Sequence, residues 1–171
     1  MVCGFPTLVS RQRRLGSSAR VVFLVFTFTL WRYLERMKIE ANKSAATFFA
    51  PHLTVQNVLA ELNFCKAAFG AVELRRFSNP DGTVHVAELA IDGALFHIHE
   101  QMPGSAEMSP ETLKGTSSAI GLFTPDPAAT VKTAVAAGAR ETSPVTDYDY
   151  GYRQGSVMDP AGHVWLIQKR I

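Results

Sequence analysis

Residues 150–171, YGYRQGSVMDPAGHVWLIQKRI, decide how the rest of the chain must be arranged. Ser156, Val157 and Met158 lead into Asp159-Pro160-Ala161-Gly162, where proline fixes φ, aspartate offers a side-chain acceptor, and glycine takes the positive φ that closes a turn. Beyond the turn the residues alternate, His163, Trp165 and Ile167 on one face and Val164, Leu166 and Gln168 on the other. An apolar hairpin of this kind is not stable by itself, so the preceding residues must supply a sheet and helices to cover it.

They do so in two similar passes. In the first, residues 50–55 alternate as a strand, with Pro51 near its start suiting an edge position. Asn57 caps a helix whose buried stripe is Val58, Leu62, Cys65 and Phe69, and Gly70 ends it. Strands follow over residues 72–77, 83–90 and 94–100, turning at Asn79-Pro80-Asp81-Gly82 and at Asp92-Gly93. Residues 102–115, rich in Pro, Gly, Ser and Glu, read as a linker or an excursion over a cavity mouth. In the second pass, residues 118–124 form a strand, and Asp126 caps a helix with Pro127 at its first position and Val131, Ala134, Val135 and Gly138 on its buried side. Residues 140–145 form the next strand, 147–152 a tyrosine-rich loop, and the final hairpin completes the copy. The helix ends at Gly70 and Gly138 are 68 positions apart and the turn glycines Gly93 and Gly162 are 69 apart, the signature of a duplicated unit. The organisation expected is an N-terminal extension, residues 1–46, followed by one domain, residues 47–171, built from modules 50–101 and 117–171.

Composition narrows the function classes. A 171-residue chain with 47% hydrophobic residues can build one real core. Its net charge of +2 is dispersed except at Arg11, Arg13 and Arg14 and at Lys169-Arg170, which argues against nucleic acid as a partner. Two cysteines, Cys3 and Cys65, do not make a disulfide framework. In the extension, a basic stretch precedes the apolar run VVFLVFTFTLWRYL at residues 21–34. Three readings stand side by side: an addition outside the fold, with Met37 as an alternative start; an extra element packed on the domain; or a targeting or membrane-associating segment, although the run falls short of the about 18 apolar residues a span requires. Absent a genuine anchor there, a cytoplasmic location is expected. No Gly-x-Ser-x-Gly elbow, P-loop or dinucleotide glycine pattern occurs in the sequence.

Several patches, in order, resemble one known group: PHLTV at 51–55, NFCKAAFGA at 63–71, VHVAELAIDGALFHIHE at 84–100, TVKTAVAAGA at 130–139 and YGYRQGSVMDPAGHVW at 150–165. The chain looks like the vicinal-oxygen-chelate superfamily of glyoxalase I, bleomycin-resistance proteins, fosfomycin-resistance enzymes and extradiol dioxygenases, and within it the PhnB-like branch. The resemblance implies an α+β fold of paired βαβββ modules forming one curved mixed-sheet cup, a small organic ligand, a homodimer, and in many members a divalent metal held by His and Glu. Carried onto this chain, the metal positions on the first and last strands of each module are Ala50, Ala119, His97 and Leu166. Three of these offer no ligating atom, so no resident cofactor is expected; if a metal binds, His97 is its anchor. A displaced set, His52, His97 and His99, is the sharper alternative to plain polar lining. His85, at the point where PhnB-like sequences carry a histidine, is the candidate base, against the reading of a structural residue. Tyr150, Tyr152 and Arg153 are candidate ligand contacts, the rings as flat surfaces and the guanidinium as a bidentate partner for an acid, against the reading of a rim that closes the dimer. Two functions follow from the resemblance: a protein that sequesters or converts a small molecule without the usual metal, or a metal-dependent lyase, isomerase or dioxygenase. A domain kept for protein interaction is the third reading.

Overall fold

The computed structural model describes residues 47–171, so the readings of the N-terminal extension lie outside the described residues. The first module comprises β1 (His52–Val55), α1 (Val58–Phe69), β2 (Val72–Ser78), β3 (Val84–Ile91) and β4 (Ala94–Glu100). After a one-turn helix α2 (Pro110–Leu113), the second comprises β5 (Ala119–Phe123), α3 (Pro127–Ala136), β6 (Arg140–Tyr148), β7 (Tyr152–Met158) and β8 (Val164–Arg170). Each module makes a four-stranded sheet, in the orders β1-β4-β3-β2 and β5-β8-β7-β6. Its first strand lies parallel to its last, and its other neighbours are antiparallel. The α+β class and the paired βαβββ modules are as expected, with two sheets where one continuous sheet was anticipated.

The two helices start alike. The side chains of Asn57 and Asp126, 69 positions apart, accept from the backbone N–H of Ala60 and Ala129, at 3.0 and 3.1 Å. Gly70 ends α1 at φ 65°, a left-handed conformation that a Cβ would strain. Val58, Leu62 and Cys65 are buried as the helical spacing requires, while Phe69 is only partly so. On α3 the expectation fails at Val135, which is 42% exposed, and at Gly138, which is exposed and lies beyond the last helical residue, Ala136. Pro127, Val131 and Ala134 form the buried line, and Val135 lies a further 100° or so round the helix from Ala134.

One core serves both modules. Leu53, Val55, Leu62, Ala87, Leu89, Phe96 and Ile98 from the first pack in the same cluster as Val131, Ala134, Val157, Trp165 and Ile167 from the second. The helix-facing sides of the sheets are thus consumed, and the opposite face of the first sheet carries a small apolar cluster, Leu74, Ala90 and Leu95, beside polar side chains further along the same strands.

The region read as a tyrosine-rich loop is instead the tip of a hairpin. β6 runs on to Tyr148, Asp147 pairs with Arg153 and Tyr148 with Tyr152 across the ladder, and Gly151 turns the chain at φ 85°. The strand read over residues 140–145 continues to Tyr148; Pro144 and the register shifts at residues 141–146 hid that continuation from a simple alternation rule. The bulged β6 also crosses very close to Gly155, where a Cβ would lie 2.8 Å from Val145 Cγ2 and 2.9 Å from Val145 N.

Candidate functional site

On β4, Phe96 and Ile98 enter the core, so His97 and His99 point from the opposite face. β1 runs parallel beside them with His52 in register with His97 and Thr54 with His99. Leu53 and Val55 are buried, which turns His52 to the histidine side. The His52 and His99 rings are tilted against each other with centroids 3.6 Å apart, and His97 stacks on His99 at 6.0 Å.

His85 joins them through a bulge. Phe77 pairs with Val86 and the next residue, Ser78, with Val84, so His85 is the extra residue in β3. Val84 packs on the core, and His85 is close enough to His99 to act on its charge. In an unbroken strand Glu88 would face away from His85; the bulge brings both to one face, since Glu88 pairs with His97. Glu88 in turn accepts from Arg75 Nη2 at 2.9 Å and Nε at 3.2 Å, a bidentate ion pair on β2 and β3. Neither residue was singled out from the sequence, although an acid and a base on strands joined by one turn is the signal that could have shown them.

His52, His85, His97 and His99 therefore share one sheet face. Burial pushes the His99 imidazole down to about 4, helped by the like-charge cost of His52 and His97 and, less, of His85, with Glu107 acting the other way. His99 is thus a neutral ring at physiological pH, one nitrogen donating and one accepting. His99 Nε2 and His85 Nδ1 are buried and lack a hydrogen-bond partner.

Tyr150 and Tyr152 are on the second sheet. Tyr148 and Tyr150 stack at 5.0 Å, Tyr152 follows at 5.9 Å and Phe123 meets Tyr152 edge-on at 6.2 Å, an aromatic row across the sheet's end. Asp147, beside these tyrosines, has a partner in Arg153. Arg153 clasps its carboxylate through Nε and through Nη2, the latter at 2.7 Å, and holds it below the usual carboxylate range. The Arg153 fork is engaged within the hairpin, between strand neighbours in register.

The donor set does not suit the metal site the resemblance implies. The parallel register equates His52 and His97 with Gly121 and Leu166, and Thr54 and His99 with Phe123 and Gln168. The second sheet thus answers the histidines with hydrogen, an isobutyl group and an amide. Among the described residues, no group of three or more His, Cys, Asp or Glu is disposed to hold a metal ion.

Comparison with known proteins places the chain. It belongs to the Glyoxalase/Bleomycin resistance protein/Dioxygenase superfamily, whose family description matches residues 46–167. An uncharacterized protein of Mycobacterium tuberculosis, Rv0887c, is 37% identical over 121 residues, 69% of this chain and 71% of that one. Among solved structures, the Arabidopsis thaliana gene product At5g48480 is 30% identical, with a TM-score of 0.57, covering 73% of this chain and all of that one (100%). TioX from Micromonospora sp. ML1 shares the fold at 21% identity and a TM-score of 0.59, over 74% of this chain and 100% of its own. Among the described residues, no helix is long and apolar enough to cross a membrane.

Proposed function

We propose that the chain binds a small organic molecule on the histidine face of the first sheet, holding or converting it without the metal used by many relatives. The observation that carries this reading is the pair of unpartnered, buried ring nitrogens, His85 Nδ1 and His99 Nε2, on one sheet face. A buried polar atom left without a partner costs about 1–3 kcal/mol, which a ligand bearing both a donor and an acceptor would recover. A neutral His99 can meet either, and His85, beside it, is the group to move a proton if the ligand is converted. Tyr150 and Tyr152 would cover the apolar part of the ligand if a second copy brings its aromatic row to this face. A homodimer in the cytoplasm, with no nucleic acid, is the setting this reading supposes, and the sequence patches support the PhnB-like branch.

The test is a thermal-shift and calorimetric survey of small organic acids, aldehyde adducts and aromatic compounds against the purified protein, with His85→Ala and His99→Ala as controls. Each substitution should weaken a bound compound by about 10-fold or more while the fold persists. Near-stoichiometric Zn, Ni, Mn or Fe that is lost on His97→Ala would overturn the metal-free reading in favour of a metal-dependent enzyme.

A further inference from the structure

A second group of titratable side chains lies away from the histidine face, inside the shared core. Glu61, on α1, is 1% exposed. Its Oε1 accepts from Cys65 Sγ at 3.4 Å, and the backbone N–H of Ala161 donates to its carboxyl group. Its Oε2 is buried and meets no donor. What stands within hydrogen-bonding reach is another acceptor, the carboxylate of Asp159 in the turn between β7 and β8. Asp159 is itself supplied with donors: the backbone N–H of His163 reaches Oδ1 at 2.8 Å and Trp165 Nε1 reaches Oδ2 at 2.8 Å. Two acceptor oxygens facing each other in a dry core require a proton between them, and the oxygen that lacks a donor is the one to carry it.

We propose that Glu61 is a carboxylic acid in the native fold, that it donates its proton to Asp159, and that this acid pair is an alkali-sensitive latch between the first module's helix and the second module's final hairpin. The other titratable groups facing it are Cys65, one helical turn on, and His163, whose Nδ1 lies 3.5 Å from Asp159 Oδ2. The third element packed here, α3, turns Val131 and Ala134 to the core, and its Lys132 is exposed. Among the described residues, no lysine or arginine faces the pair, and His163 lies on the Asp159 side of it. Burial first and Asp159 second raise Glu61 from 4.5 to about 8. A raised carboxyl stabilises the fold fully below its unfolded value, and that contribution is lost as pH rises through the folded value. The latch therefore weakens from about pH 4.5 upward and is undone above about pH 8.

The wild-type protein with ¹³C-labelled glutamate side chains tests this directly. One carboxyl signal, missing in Glu61→Gln, should titrate near pH 8, and the unfolding constant should rise by up to about 10-fold per pH unit across the window below it. Glu61→Gln, a neutral side chain that still donates to Asp159, should abolish that slope. Should the variant not fold, proton release on urea unfolding of the wild type at neutral pH reads the same quantity. A carboxyl signal set titrating wholly in the ordinary glutamate range, no proton released on unfolding, or an unchanged slope in Glu61→Gln would each overturn the proposal.

Discussion

Trp165 shows how much a single residue can hide from a sequence reading. Its alternation with His163 and Ile167 announces a buried side chain, and it is 2% exposed. What alternation cannot announce is that its indole N–H is spent on Asp159, six residues back across the turn. Aspartate before proline has a sufficient local explanation as a turn residue, so nothing in the sequence demanded a second role. Trp165→Phe keeps most of the apolar volume and removes the donor. It should destabilise the protein by about 1–3 kcal/mol, read as a lower urea midpoint with an unchanged m-value. His85 was legible as a residue of interest, but its side was not, because a bulge moves a side chain without leaving a mark in composition.

Elements were legible where their ends carry chemistry. Asn57, Gly70, Asp126 and Pro127 set the helix boundaries through side-chain oxygen, positive φ and fixed φ, and these act locally. β6 was legible only up to Val145: its register shifts fall at residues 141–146, and the polar residues that resume regular pairing beyond them, Thr146, Asp147 and Tyr148, carry no apolar alternation. The same crossing explains Gly155, which from sequence is merely a weak strand residue. Gly155→Ala would press a methyl group against Val145 and against Ser143 O at 3.0 Å, backbone that cannot rotate away. A loss of about 1–3 kcal/mol is expected, measured by thermal or chemical unfolding.

For the whole molecule, two shifted titrations, of half-buried His99 and buried Glu61, act in opposite directions. His99 is depressed to about 4, so its contribution is present above its ordinary value of 6.5 and is lost as pH falls towards 4. Glu61 is raised to about 8, so its contribution is lost as pH rises from 4.5. Between pH 4.5 and 6.5 the two slopes oppose; above 6.5 that of Glu61 acts alone and stability should decline towards pH 8. Melting temperatures across this range should lose the acid limb in His99→Gln and the alkaline limb in Glu61→Gln. The duplicated architecture was legible at this scale because breakers recur at nearly constant spacing. The sharing of one core was not, because hydrophobic periodicity says which face is buried but not which module buries it.

That common interior makes the halves mutually dependent despite their repeated plan. A polypeptide divided in the exposed stretch between Met102 and Glu107 would leave each fragment with a bare apolar surface where its counterpart had lain. Either fragment alone should aggregate or stay unfolded, whereas mixing the two from denaturant should restore a single cooperative melt and the near-ultraviolet dichroism of an enclosed Trp165.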